Sequence, residues 1–222
     1  MSSINPHFTF NYQQPKDYRF SHDSVFLARR VFEEYADKET SSLRGLDLCA
    51  GCGIIGLDFL FHLNKEKNKA LASFDFLEIQ DVYAPFFAAN AQHLSTTRTS
   101  LHFVQMNYAA LLQPNKENSY DLIVCNPPYF HLQQGKLSPS EFKNRCRFFI
   151  DSDFATLFKG LENALKPQGQ AYVLVRNQTE HGWDALQEAQ KILSSQVKCT
   201  VLDDVRGTDL LRITKSSAPP QL

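Results

Sequence analysis

Residues 47–56, Asp-Leu-Cys-Ala-Gly-Cys-Gly-Ile-Ile-Gly, put glycines at 51, 53 and 56 directly behind a short apolar run. Between a strand and a helix, G-x-G-x-x-G spacing lets backbone approach a nucleotide-like ligand. Glu78 follows at about the distance from which an acid reaches two ribose hydroxyls. Asp47 narrows the choice of ligand. A carboxylate at the strand end repels a pyrophosphate but suits a cation such as S-adenosylmethionine, with its sulfonium and ammonium groups. In a partly dry cleft that attraction reaches the kcal/mol scale. A nicotinamide dinucleotide, or a glycine-capped helix with no ligand, stays open as an alternative at this point.

A second group of chemical interest is Asn126-Pro127-Pro128-Tyr129, after the apolar run Asp121-Leu122-Ile123-Val124-Cys125. Two prolines fix φ and remove two N–H donors, which leaves their carbonyls as free acceptors. Asn126 adds a side-chain carbonyl, and Tyr129 adds a π-face. Two acceptors and one ring can grip a flat –NH2 group. Holding both hydrogens aims the nitrogen lone pair at an electrophile, which is positioning and electrostatic preorganisation without a strong base. The alternative is a rigid turn that ends a strand.

With both motifs in place, the chain resembles, over residues 18–176, the class I methyltransferases that use S-adenosylmethionine and carry an N-P-P-Y loop. Those enzymes methylate amino groups of adenine, cytosine or glutamine. Tyr18-Arg19-Phe20-Ser21-His22-Asp23-Ser24-Val25-Phe26-Leu27-Ala28 is similar to the N-terminal motif of the bacterial tRNA adenine-N6 methyltransferases. So is the stretch from Asn126 through Phe130 and Gly135 to Arg145 and Arg147. The resemblance implies catalysis by Asn126, Pro127, Pro128 and Tyr129. It implies cofactor contacts from Arg19, Asp23, Asp47, Ala50, Gly51, Cys52, Gly53, Glu78, Ile79, Met106 and Asn107. Within that set, residues 19–23 approach the methionine end, Asp47, Gly51 and Gly53 the methionine and ribose, and Glu78 the ribose hydroxyls. Met106 and Asn107 border the adenine. Family members commonly have Asp where this chain has Asn107, and Asn can still accept from the cofactor's amino group. Cys52 stands where a small polar residue is common.

The implied substrate is the anticodon-adjacent adenine of a valine tRNA. Guanine-N2 rRNA methylation is the runner-up, ahead of release-factor glutamine methylation and of a non-catalytic scaffold. DNA adenine methyltransferases usually carry an added recognition domain, for which this length leaves no room. The release-factor enzymes usually place a helical domain before the glycine loop, where this chain has 46 residues. Lys136, Lys143, Arg145 and Arg147, interleaved with Phe142, Phe148 and Phe149, could bind RNA phosphates and stack on a base. The bland reading is a solvated and partly core-packed segment.

These residues need elements to hold them. Asp23 is expected to cap a helix through Tyr35, with Val25, Ala28, Val31, Phe32 and Tyr35 on one face. Strands are expected over residues 43–48, 71–77, 101–105, 120–125, 171–175, 197–202 and 210–214. Helices are expected over 54–63, 82–94, 154–165 and 183–193, with Pro85 tolerable in a first turn. Residues 65–69 read as a solvated loop, and 166–169 as a helix stop. The alternation implies an α/β doubly wound, seven-stranded, mostly parallel sheet in the class I methyltransferase, Rossmann-like manner. The link through Arg206-Gly207-Thr208-Asp209 is too short for a parallel crossover, so the last strand should be antiparallel. Ligands should bind beyond the carboxyl ends of the strands. One domain over residues 1–215 is expected, with 1–40 as lead-in and helix and 216–222 as a tail.

Composition fits an ordinary globular protein: 222 residues, 43% hydrophobic, 21% charged, formal charge −1. Near-neutrality excludes a globally basic nucleic-acid binder but not a local patch. Eighteen Phe suggest a Phe-rich core, with a few rings left for stacking. Five scattered cysteines, without a basic-then-apolar leader, point to reduced thiols in the cytoplasm. Cys49-x-x-Cys52 has no second C-x-x-C, and no H-x-x-x-H is present, so zinc is poorly supported. No metal, no membrane contact and a monomer are expected.

Overall fold

The computed structural model describes residues 11–19, 22–205 and 207–217. Residues 1–10 of the lead-in, Phe20 and Ser21 of the N-terminal motif, Arg206 of the last link and residues 218–222 of the tail lie outside them.

The order along the chain is α1 (His22–Tyr35), β1 (Arg44–Leu48), α2 (Ile54–Lys67), β2 (Ser73–Glu78), α3 (Ala84–Ala91), β3 (Ser100–Gln105), β4 (Tyr120–Cys125), α4 (Glu141–Arg147), α5 (Phe154–Ala164), β5 (Leu165–Val175), α6 (Ala185–Ile192), β6 (Val197–Asp204) and β7 (Asp209–Lys215). The strands form one seven-stranded sheet in the order β3-β2-β1-β4-β5-β7-β6. β7 runs antiparallel to both β5 and β6, as the short link requires, and the other pairs are parallel. The order reverses between β1 and β4, so the two motif-bearing loops leave neighbouring strands side by side.

Central strands β1 and β4 are apolar because helices cover both faces. On one face, α1 buries Val25, Ala28, Val31, Phe32 and Tyr35 against α2, which itself lies on the sheet. A chain of rings, Phe59–Phe74–Phe76–Phe87–Phe103, fills this layer at centroid distances of 4.6–6.1 Å. Much of the high Phe content is therefore core. On the other face, Leu157, Phe158 and Leu161 of α5 and Ala185 and Ala189 of α6 close the second layer. Asp153 and Asp184 cap those helices, accepting from the Thr156 N–H at 2.6 Å and the Gln187 N–H at 2.9 Å.

Several expected boundaries differ. α2 runs on through Lys67, because polar side chains can cover its outer face; left-handed Asn68 (φ 50°) ends it. Asp23 lies inside the first turn of α1 instead of capping it. The helix expected over 82–94 is α3 flanked by two single 3-10 turns, with Pro85 in its first turn. The 166–169 stop lies inside β5. Tyr120 pairs with Leu165 and Leu122 with Gln170, so residues 166–169 bulge from the ladder. Gln168 takes φ 65° there, and Lys166 Nζ holds Asp121 Oδ2 at 2.7 Å.

Candidate active site

The glycine loop begins where β1 ends. Cys49, Gly51 and Gly53 all have positive φ (59°, 53° and 83°), which turns the chain tightly into α2. Gly56 serves a different need. A Cβ there would sit 2.5 Å from Phe76 Cε1 and 2.9 Å from Phe74 Cε1, so only glycine lets α2 lie this close to the sheet.

Asp47 points from β1 toward α2 and is fully buried. Its Oδ2 accepts from the Gly56 N–H at 2.9 Å. Gly53, at the N-cap, has no side chain to cap α2, so a strand carboxylate caps the helix from outside. Its Oδ1 has no hydrogen-bond partner. Burial holds the Asp47 carboxyl well above its usual pKa, with the Gly56 N–H pulling the other way and Glu78 adding to the rise. Asp47 thus braces the loop from behind and is not among the residues that line the cavity, where a direct contact with the ligand was expected of it.

Glu78 ends β2. Its Oε2 accepts from the Gly51 N–H and its Oε1 from the Gln80 N–H, both at 2.9 Å. Burial raises its pKa, and backbone N–H groups of Gln80, Gly51 and Ile79 oppose the rise. Glu78 thus ties the glycine loop to β2. A ribose would share the remaining lone pairs of oxygens already in use.

Asn107 departs further from expectation. Its Oδ1 accepts from the Ala109 N–H at 2.8 Å, and its Nδ2 donates to the Asp151 carbonyl at 2.9 Å. An Asp here could cap the following turn but could not donate to residue 151. Asn107 thus fastens two cavity walls together, with one lone pair of its oxygen taken by Ala109.

The second loop faces the first. Asn126 Nδ2 donates to Ser24 Oγ of α1 at 2.9 Å, and its Oδ1 accepts from the Tyr129 hydroxyl at 2.5 Å. Among the described residues, no N–H donates to the carbonyls of Pro127 or Pro128. The Tyr129 and Phe130 N–H groups both donate to the Arg147 carbonyl, at 3.1 and 3.0 Å, and the Phe149 N–H returns to Phe130 O at 2.9 Å. Burial pushes the Tyr129 phenol up; the Asp23 charge adds to this and Arg176 opposes it.

Between the loops lies a cavity of about 380 Å³, lined by residues 49–52, 77–80, 106–108, 126–130 and 145–152, with Asp23, Ser24 and Arg176 among the others. It brings together Asp23, Ala50, Gly51, Cys52, Glu78, Ile79, Met106, Asn107 and the whole Asn126–Tyr129 loop. Arg19 is exposed and, like Gly53, Lys136 and Lys143, does not line it. Of the expected RNA contacts, Arg145 and Arg147 reach the wall. Arg145 is held by Asp151 at 3.2 Å and Glu141 at 3.5 Å. Phe148 is fully buried, and Phe142 packs on Tyr18 and Tyr83, so neither is free to stack on a base. Ser24 and Arg176 were missed from the sequence. Ser24 lay one residue beyond the stretch tied to the cofactor, and Arg176 directly follows a strand end.

Cys52 is buried and its thiol is pushed up to about 12, which suits packing more than redox chemistry. Among the described residues no cluster could hold a metal ion, and no helix is long and apolar enough to cross a membrane.

The Methyltransferase small domain family matches residues 16–198. The chain belongs to that family. Relatives of this methyltransferase include the tRNA1(Val) (adenine(37)-N6)-methyltransferase of Bacteroides fragilis, 27% identical over 181 residues, which cover 82% of this chain and 67% of the relative. A release factor glutamine methyltransferase of Pasteurella multocida is 29% identical over 181 residues, covering 78% of this chain and 55% of the relative. The methyltransferase thus spans between half and two thirds of their lengths. Its fold matches a ribosomal protein L11 methylase from Lactobacillus delbrueckii subsp. bulgaricus, with TM-score 0.57 at 16% identity over 88% of this chain and 80% of that one.

A methyltransferase of this fold draws its methyl group from S-adenosylmethionine, and the donor set fits that molecule. Glu78, at the end of β2 on the cavity wall, offers a carboxylate toward ribose hydroxyls. Gly51 leaves room, since a Cβ there would meet nothing nearer than Tyr83 at 3.6 Å. Ile79 and Met106 offer apolar walls for a flat ring.

Proposed function

We propose that this chain transfers a methyl group from S-adenosylmethionine to the exocyclic N6 amino group of an adenine in RNA, the anticodon-adjacent adenine of a valine tRNA. The cofactor supplies a methyl carbon made electrophilic by its sulfonium. The chain's own residues do the rest. The Asn126 carbonyl and a proline carbonyl accept the two hydrogens of the planar amino group, and Tyr129 covers one face of the base. The nitrogen lone pair is thereby freed and aimed. The N–CH3 bond would form as the S–CH3 bond breaks, the pair staying on a sulfur that ends as a neutral thioether; the methylated nitrogen is then acidic, and its surplus proton leaves to water.

The observation that carries this reading is the Asn126 amide, clamped by Ser24 from a helix 102 residues away and standing beside free proline carbonyls. The relatives named for adenine-37 methylation support the choice of base. An unpaired anticodon-loop purine can be splayed into such a cavity at low unstacking cost. The work would then lie in the cytoplasm, where five free cysteines stay reduced.

The test is to incubate the protein and cofactor with unmodified tRNA, rRNA fragments, duplex DNA and a release factor, then digest and weigh each product. N6-methyladenosine in the tRNA anticodon loop is expected. Methylguanosine in rRNA or methylglutamine in the release factor would replace this reading, and no product on any substrate would favour a scaffold.

A further inference from the structure

Three arginines reach the cavity wall: Arg145, Arg147 and Arg176. Their surroundings differ. Arg145 is neutralised by Asp151 and Glu141. Among the described residues, neither Arg147 nor Arg176 has a carboxylate partner, although Arg29, Arg30, Arg44 and Arg212 all do. Both are exposed, so each charge is available to a ligand.

Their placement is specific. The Arg147 guanidinium stands 5.6 Å from the Phe130 ring centre and 5.5 Å from that of Phe148, which steadies it without neutralising it. The carbonyl of the same residue accepts the Tyr129 and Phe130 N–H groups, so the charge moves with the Asn126–Tyr129 loop. Arg176 comes from the other side. It follows Val175 at the end of β5, whose neighbour β4 leads into Asn126, and its charge is felt at the Tyr129 phenol.

The group gripped by Asn126 and the prolines is a neutral amine, so it leaves both guanidinium charges without a counterpart. The anion that answers them is either the carboxylate of the cofactor or another part of the substrate, and cofactor affinity in the arginine variants separates the two. We propose that Arg147 and Arg176 form a two-pronged anion subsite that holds the backbone phosphodiesters on either side of the target base. This rests on the RNA reading above and sharpens it. A nucleotide carries a phosphodiester on both sides of its base, and a guanidinium fork matches its oxygens. A glutamine in a peptide carries no such pair of anions.

The experiment uses the full chain with a synthetic, unmodified anticodon stem-loop RNA. R147Q, R176Q and the double variant are compared with the parent, and K198Q, at the far end of edge strand β6, serves as control. Each single variant should raise KM for the RNA about fivefold to tenfold and lower the slope of log affinity against log salt by about 0.7, one single-strand phosphate contact. At saturating RNA, kcat should stay within about twofold, and calorimetric affinity for S-adenosylmethionine should not change. R176K should keep the salt slope while recovering only part of the affinity. If the parent methylates the RNA and the double variant keeps its KM and salt slope, the subsite is refuted and the adenine reading stands. If the parent methylates a release factor and no RNA, both fall.

Discussion

Removing one oxygen atom tests how the Asn126 amide is aimed. Ser24→Ala deletes the hydroxyl that accepts Asn126 Nδ2 at 2.9 Å. Ser24 is only 2% exposed, so little water can take its place. A buried donor left unpaired costs about 1–3 kcal/mol. The amide can relieve that cost only by turning, which takes its carbonyl away from the line set by the 2.5 Å Tyr129 contact. If the whole cost falls on the transition state, turnover drops about 5- to 150-fold, since 1.4 kcal/mol is a factor of about ten. Ser24 also lines the cavity beside Asp23, yet the cofactor loop rests on Glu78 and Asp47 from other strands. Affinity for S-adenosylmethionine should therefore change by less than about threefold, because none of the lost bonding reaches that loop. The assay is single-turnover transfer of tritiated methyl to the anticodon stem-loop, with calorimetry for the cofactor. Ser24→Thr, which restores an acceptor, should recover most of the rate. Full turnover in a folded Ser24→Ala protein, or an equal loss in cofactor binding, would refute the argument.

Asn126→Ala should cut turnover by about 100-fold or more, as for loss of one preorganised hydrogen-bond group, with cofactor affinity measured by calorimetry nearly intact. Glu78→Ala should weaken S-adenosylmethionine binding by about 1–3 kcal/mol and also release the Gly51 and Gln80 N–H groups, seen as faster amide exchange at both. Asp47→Asn should melt higher than the parent at neutral pH but bind the cofactor more weakly. The native carboxyl titrates above its unfolded value, so the parent is penalised as pH rises through that window, and the gap in melting temperature should close on acidification. Gly56→Ala should destabilise by about 1–3 kcal/mol in urea unfolding, because its Cβ would drive α2 off Phe76 and Phe74.

Alternating apolar runs and spacers were enough to read the sheet, the antiparallel last strand and every helix except α4, which is seven residues long and buries only Asn144, so it shows no apolar stripe. The bulge at residues 166–169 was not readable. Lys-Pro-Gln-Gly spells a chain stop, and only the Tyr120 and Leu122 partners reveal that pairing resumes on both sides. Spacing also brought the glycine loop, Glu78 and Asn126 to one cavity. It could not say which way a side chain faces. Asp47 belongs to the loop motif, yet strand alternation turns it under α2 and off the cavity lining. Ser24 and Arg176 carry no motif of their own; they matter through partners far away in sequence, which no local pattern records.

The chain leaves the Asn126–Tyr129 loop at Phe130 and rejoins it at Phe148, where the two residues bridge in parallel. The excursion between them departs from and returns to one place, so the sheet does not sense its length. Doubling a flexible loop costs only about 0.6 kcal/mol in closure. The mostly exposed stretch over residues 132–137 could therefore be exchanged for segments of other lengths and sequences, while α4 keeps Arg147 against the cavity, giving new targets to one methyl-transfer centre.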